Sequence, residues 1–118
     1  MELKIRKNGR IYIIDISGEM DLYNSYKIKE LLLKMIEKKI ELFIINLNDV
    51  EYIDSSGIGA LIYITSTIRK MNLCLAITNV RGSVKKVIEL TKLTSFFPIT
   101  ASLDDAIEQV ESGVVLKR

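Results

Sequence analysis

The sequence contains no histidine and no tryptophan, and it has one cysteine and one proline in 118 residues. Without histidine, the chain can form neither a Ser-His-Asp triad nor a histidine-ligated metal site. With Cys74 as the only cysteine, no intrachain disulfide is possible, and its apolar setting "NLCLAI" predicts a small buried hydrophobe. The phosphate-binding patterns G-x-x-x-x-G-K-[ST] and G-x-G-x-x-G are also missing. The sequence therefore defines no catalytic set, no cofactor site and no metal site.

An excess of charge of one sign is also lacking, since 17 basic and 15 acidic residues leave a net charge of +2. So small an excess of positive charge does not indicate binding to nucleic acid or to an anionic membrane. The chain does not open on a basic segment followed by an apolar run, and no apolar run approaches the roughly 20 residues of a membrane helix. We therefore expect a cytoplasmic protein with neither a membrane nor a nucleic-acid partner.

Short isoleucine-rich runs with apolar residues on both faces predict strands buried in a sheet. The three buried strands are expected at Gly9–Gly18, Glu41–Leu47 and Leu73–Thr78. A preceding strand, Leu3–Arg6, is expected to pair as a hairpin across the turn signal Asn8-Gly9. A short last strand in "FFPIT" should lie at a sheet edge, because it contains the only proline, Pro98.

Segments with a helical period of apolar residues separate these strands. The residues expected to face inward are Ile28, Leu31, Leu32, Met35 and Ile36 within Met20–Lys39; Ile58, Leu61, Ile62, Thr65 and Ile68 within Gly57–Lys70; Val84, Val87, Ile88 and Thr91 within Ser83–Leu93; and Leu103, Ala106, Ile107 and Val110 after a cap at Ser102. The lysines outside the first stripe, Lys27, Lys29, Lys34 and Lys38, are interpreted as a solvated face.

The order β-β-α-β-α-β-α-β-α contains strand-helix-strand units, which imply parallel pairs with right-handed crossovers. The length suits one domain spanning residues 1–118, and the sequence shows no linker or repeat. The expected fold class is therefore α/β, with a mixed, mainly parallel sheet of four to five strands and about four helices.

The stretch "VEYIDSSGIGAL", residues 50–61, places Asp54, Ser55 and Ser56 where a strand should give way to a helix. Asp and Ser are the preferred caps at such a position, and capping is the simplest interpretation. However, one cap residue is sufficient, and Gly57 and Gly59 each cost up to ~1 kcal/mol inside a helix. Glycine there lets another backbone or a phosphate approach, and a helix N-terminus favours anions. The pattern therefore suggests a serine that accepts a phosphoryl group.

Three acids, Asp15, Glu19 and Asp21, lie close together before the first expected helix. We interpret them mainly as solvated loop charges, and a catalytic carboxylate pair is the alternative. No nucleophile and base accompany these acids in the sequence. The serine is therefore predicted to be the substrate of another enzyme and not a catalyst.

Two segments about thirty residues apart, "SGEMDLYNS" (Ser17–Ser25) and "VEYIDSSGIGAL", resemble the two hallmarks of the STAS domain. More narrowly, they resemble bacterial anti-sigma factor antagonists. In that family a G-E-[IL]-D segment follows the second strand, and a D-S-[ST]-G-[LI]-G segment opens the second helix. The later segment Leu75–Ile107 is similar to the family's third helix, short strand and closing helix.

The resemblance implies a site and a mechanism. Ser55 is implied to be the phosphorylated residue, with Asp54 before it and Asp21 beside it, while Ser56 and Gly57 complete the partner-binding residues. The implied partners are an anti-sigma factor serine kinase, which binds the unphosphorylated form and so frees a sigma factor, and a serine phosphatase that resets Ser55. No catalytic activity, cofactor or metal is implied.

Two other interpretations stay open. One is a STAS module that acts as a scaffold in another bacterial signalling or transport assembly, without sigma-factor control and with Ser55 only as a cap. The other is an enzyme, which the missing catalytic set disfavours. We expect a monomer, because each apolar stripe has a sheet face to cover; exposed aromatics at Phe96 and Phe97 offer a route to a dimer.

Overall fold

The computed structural model describes residues 1–113, and within this range five strands alternate with four helices. The elements are β1 (Glu2–Asn8), β2 (Ile11–Met20), α1 (Tyr26–Glu37), β3 (Leu42–Ile53), α2 (Ser55–Lys70), β4 (Cys74–Thr78), α3 (Gly82–Leu90), β5 (Ile99–Thr100) and α4 (Leu103–Glu111). Their order confirms the predicted α/β succession. No helix in the described part of the chain is long and apolar enough to cross a membrane.

The strands form one sheet in the order β1-β2-β3-β4-β5, in which β1 is antiparallel to β2 and the other pairs are parallel. The prediction of a mixed, mainly parallel sheet is therefore confirmed. The hairpin also forms, but Asn8 pairs with Ile11, so the two-residue turn is Gly9-Arg10 instead of Asn8-Gly9. Gly9 has a φ of 63°, which glycine adopts without steric cost.

The two faces of the sheet are covered unequally. Helices α1, α2 and α3 cover one face, where their apolar stripes pack on residues such as Ile14, Phe43 and Ile77. On the other face α4 packs Ala106 and Val110 against a smaller cluster that includes Ile13, Ile44 and Cys74. The predicted inward stripes are confirmed except at Thr91, which is exposed beyond the end of α3 and donates its hydroxyl to the Ile88 carbonyl at 2.7 Å.

Several boundaries differ from the prediction: β1 is longer at both ends, α3 ends at Leu90 instead of Leu93, and the largest differences lie beside the ends of β2 and β3. β2 continues to Met20, and α1 begins only at Tyr26. In the turn between them the Asp21 carbonyl accepts the backbone N–H groups of Asn24 and Ser25. β3 continues past Leu47 to Ile53, and register shifts against β2 mark bulges in this extension. The bulges break the alternation of apolar and polar residues, so the sequence pattern does not show the strand.

The segment before β5 is packed tightly, so the expectation that Phe96 and Phe97 are exposed is wrong. Phe97 is buried and Phe96 is half-buried. Arg69 of α2 holds this segment: its guanidinium donates to the Phe96 carbonyl at 2.9 Å and lies 4.7 Å above the centroid of the Phe96 ring. The edge position of β5 is confirmed.

A chain of polar side chains crosses the sheet from β1 to the end of β4. Asp15 accepts hydrogen bonds from Arg6 Nη2 at 3.0 Å and from Asn46 Nδ2 at 2.8 Å, and Asn79 Nδ2 donates to Asn46 Oδ1 at 2.9 Å. Burial alone raises the pKa of the Asp15 carboxyl, but the hydrogen bonds from Arg6 and Asn46 and the charges of Arg6 and Lys4 outweigh it. The net effect is a pKa below the ordinary value.

We predict that Asp15→Asn lowers the free energy of unfolding by about 1 kcal/mol at neutral pH. A carboxyl whose pKa is lowered by folding stabilises the fold above its unfolded pKa, and this contribution is lost as the pH falls through the folded pKa. The difference between wild type and variant should therefore shrink below about pH 4. Urea unfolding of wild type and variant at neutral and acidic pH measures this difference. A difference that does not change with pH would contradict the prediction.

Candidate functional site

The site lies where β2 and β3 end side by side. Met20 pairs with Ile53, and the Asp54 N–H donates to the Met20 carbonyl at 3.1 Å. Because the two strands are parallel, the residues that follow them leave the same edge of the sheet. The structure thereby brings Asp21 and Asp54, which are far apart in sequence, to adjacent strand ends.

Asp54 caps α2 with its side chain, so the cap does not use the side chain of Ser55. Its Oδ1 accepts the backbone N–H groups of Ser56 at 2.9 Å and Gly57 at 3.2 Å. Ser55 is the first residue of α2 and is exposed, as the sequence predicts. Its hydroxyl forms no hydrogen bond within residues 1–113. Ser56 takes part in the cap through its backbone N–H, so the capping role and the exposed hydroxyl belong to different residues.

Gly57 is required by internal packing. A Cβ at this position would lie 2.5 Å from Ile53 Cγ1 and 2.8 Å from the Met20 carbonyl oxygen. The close approach that the sequence suggested is therefore that of a backbone. Gly59 differs, because a Cβ there would meet no atom within 4 Å. The first turn of α2 thus rests on the end of β2 at Gly57 and is open at Gly59.

The turn after β2 is held by its own polar side chains. The Asp21 carboxylate accepts the Tyr23 N–H at 2.9 Å, while Asn24 accepts the Asp21 N–H at 3.0 Å and donates to the Glu19 carbonyl at 2.9 Å. Asp21 is half-buried in the turn. These bonds give the turn a defined shape beside Ser55. The interpretation as a solvated loop charge is wrong for Asp15, which lies within β2 and pairs with Arg6.

Large apolar side chains that the sequence did not point to are exposed in this turn, at the start of α1 and near the end of β3. Leu22 is 69% exposed and Tyr23 is 82% exposed, while Tyr26 and Tyr52 are about half exposed. We call these four residues the apolar rim. Exposed apolar groups of this size that lie together mark interaction sites more often than chance. The sequence feature that could have indicated them is the position of Leu22 and Tyr23 between Asp21 and the inward stripe of α1.

The surroundings of Ser55 are rich in acidic residues. Glu19, Asp21, Glu51 and Asp54 all lie at or just beyond the ends of β2 and β3. None of them forms an ion pair within residues 1–113. A further negative charge at Ser55 would therefore add to an existing negative field.

A polar groove of about 490 Å³ runs beside the corner, between the β3 extension and the start of α3. Arg81 crosses it and donates to the Asn48 side chain at 3.2 Å, and the Ser83 hydroxyl donates to the Glu51 carbonyl at 2.9 Å. These bonds tie α3 to the bulged part of β3. Within the described residues, no group of acids and cysteines has the arrangement of a metal site.

Comparisons with known proteins show a family match and a shared fold. The STAS domain family model matches residues 2–106. The anti-sigma-B factor antagonist of Bacillus subtilis is 24% identical over 108 residues, which cover 92% of this chain and 98% of the relative. An anti-sigma factor antagonist from Mycobacterium paratuberculosis has a TM-score of 0.83 at 22% identity, covering 93% of each chain. The phosphorylated form of the Bacillus cell fate determinant SpoIIAA has a TM-score of 0.71 at 20% identity, covering 92% of this chain and 99% of that one.

The two glycines of the first turn provide a matched pair of variants. We predict that Gly57→Ala lowers the free energy of unfolding by about 2 kcal/mol, because the new methyl group overlaps Ile53 and the Met20 backbone. Gly59→Ala should raise it by up to ~1 kcal/mol, since it removes the helix cost of glycine in open space. Urea unfolding of the two variants measures both effects. Equal changes in the same direction would contradict this account of the corner.

Proposed function

This chain belongs to the STAS domain family, and from that premise we propose that it is an anti-sigma factor antagonist switched by phosphorylation of Ser55. Unphosphorylated, residues 1–118 act as a single STAS domain that binds an anti-sigma factor serine kinase, and this binding releases a sigma factor. Phosphorylation of Ser55 ends the binding, and a serine phosphatase restores it. The protein acts as a cytoplasmic monomer, by binding and not by catalysis.

The observation that carries the proposal is the exposed Ser55 hydroxyl at the start of a helix capped by its neighbour. Because the Asp54 carboxylate holds the first N–H groups of α2, the helix start does not depend on the Ser55 side chain. A phosphoryl group can therefore be added without loss of the cap. The positive end of the helix dipole lowers the cost of the new charge.

The acids around Ser55 explain why the added charge would end binding. A phosphoserine carries a charge of roughly −1.5 to −2 at neutral pH. Asp21 and Asp54 already place negative charge at this edge, so both repel the added charge, and a partner that fits the unphosphorylated surface has no donors placed for the additional oxygens. Pressing the dianion into that interface costs desolvation and repulsion, while the fold stays unchanged. Ser56 and Gly57 contribute by holding the surface in shape.

The apolar rim supports a docking role for the same surface. Binding energy at interfaces is concentrated in a few desolvated side chains, and tyrosine is enriched among them. Leu22 and Tyr23 directly follow Asp21, and their turn is fixed by hydrogen bonds before any partner binds. A preformed turn loses little conformational entropy on binding. We therefore assign the favourable binding energy to the apolar rim and the control of binding to Ser55.

We predict that Ser55→Ala stays folded, resists phosphorylation and holds the kinase permanently. Its free energy of unfolding should change by less than about 0.5 kcal/mol, because Asp54 supplies the cap. Ser55→Asp should weaken kinase binding roughly tenfold, since it adds one charge beside two acids. Calorimetry with the purified kinase measures affinity, and intact mass after incubation with ATP measures phosphate incorporation.

Ser56→Ala is the matched control and should be phosphorylated like the wild type. Phosphate on Ser56, or a Ser55→Asp protein that binds as tightly as wild type, would show that Ser55 is not the switch. If Ser55 stays unphosphorylated while rim variants still lose their partner, the STAS scaffold is the better interpretation.

For the rim, we predict that Leu22→Ala and Tyr23→Ala each weaken kinase binding by roughly tenfold or more, with unfolding free energies changed by less than about 0.5 kcal/mol. The reason is that both side chains are exposed and make little contact within the fold. Leu90→Ala is the control, because Leu90 is 81% exposed on α3, outside the rim. Equal losses of affinity in all three variants would refute a specific role for the rim.

A further inference from the structure

Strand β1 and the turn after it carry an unusual share of the positive charge. Residues 2–10 contain four basic residues and one acid, Glu2. All four basic residues are exposed in the structure. Arg6 is paired with Asp15, whereas Lys4, Lys7 and Arg10 face solvent. The net charge of the whole chain does not show this concentration.

The fold adds two lysines to this charge. Lys38 and Lys39, at the end of α1, meet Lys7 and Arg10 around a recess of about 320 Å³. Glu41 also lines the recess and lies 3.4 Å from the Arg10 guanidinium, but both side chains are mostly exposed, so the pair is weak. We call Lys4, Lys7, Arg10, Lys38 and Lys39 the basic edge.

The same region has an open strand edge. Within residues 1–113, β1 pairs only with β2, so every second residue of this seven-residue strand points its backbone N–H and C=O to the outer side. Ile5, in the middle of β1, is 48% exposed. An edge of this kind can accept an extended segment through backbone hydrogen bonds, with side chains alternating between the two faces.

Charge decides which segment fits this edge. Antiparallel pairing of β1 with a second copy centred on Ile5 would place Lys4 opposite Arg6, and like charges directly opposite destabilise a strand pair. A membrane surface is flat and does not fill a recess between a hairpin turn and a helix end. An extended acidic segment meets both conditions, because its backbone pairs with β1 while alternate carboxylates reach Lys4 on one face and Lys7 on the other.

We propose that the basic edge and strand β1 together bind an extended acidic segment of a protein partner. The recess lies at the amino ends of β2 and β3, whereas Ser55 follows the carboxyl end of β3. A segment bound here leaves the Ser55 surface open to a different partner. The proposal does not depend on the role assigned to Ser55.

The test uses a fluorescent peptide of about nine residues that repeats Glu-Glu-Thr-Thr, so that an extended chain carries carboxylates on both of its faces. Wild type should bind it at about 50 mM salt and at least roughly tenfold more weakly at about 500 mM. A peptide with Gln in place of Glu should not bind. Amide NMR spectra should show the largest changes in β1 and around the recess.

The variant Lys4→Glu/Lys7→Glu should lose at least roughly tenfold in affinity, because it reverses two charges on β1. Lys85→Glu/Lys86→Glu, a pair of exposed lysines on α3, is the matched control and should bind like the wild type. A second variant, Lys38→Gln/Lys39→Asn, lies outside the sheet and should also weaken binding if the first variant fails to fold. Asn suits position 39, where φ is 70°. Ser55→Asp should leave the peptide affinity unchanged.

The proposal is overturned if the peptide does not bind at low salt, or if the Lys85→Glu/Lys86→Glu protein loses as much affinity as the β1 variant. Amide changes confined to the Ser55 edge would also overturn it. So would tighter binding of phosphatidylserine vesicles or of duplex DNA than of the peptide in the same buffer.

Discussion

The close contact of Gly57 with the end of β2 is the constraint on which the site depends. Because residue 57 has no side chain, the first turn of α2 rests directly on the Met20 carbonyl and Ile53. That contact places the helix start beside the strand ends, where the Met20 carbonyl also accepts the Asp54 N–H. Any larger residue would lift the helix, and with it the cap and the exposed serine, away from the turn that follows β2.

The corner separates tasks that one side chain might otherwise share. Asp54 satisfies the free N–H groups of α2, Gly57 allows the close packing, and Ser55 is left exposed between them. A modification of the exposed residue then changes the charge of the surface and costs little stability. This division is what a switch based on charge needs, because the fold must persist in both states.

The charged groups of the molecule are separated between the two ends of its strands. Acidic residues lie around Ser55 at the carboxyl ends of β2 and β3, whereas the basic recess lies at their amino ends. The polar chain through Asp15 and Asn46 crosses the sheet between them. A small net charge therefore conceals two surfaces of opposite sign, each suited to a different kind of partner.

Local chemistry in the sequence determined the order of the elements, the inward stripes of the helices and the start of α2 at Asp54 and Ser55. Periodicity, caps and turn residues act within a few positions of one another, so these features can be read along the chain. Only the tertiary structure revealed the packing that requires glycine at position 57 and the full length of β3. It also placed Arg69 over Phe96 and brought the lysines at the end of α1 next to those of β1. Each of these depends on contacts between residues distant in sequence, and no local pattern records such contacts.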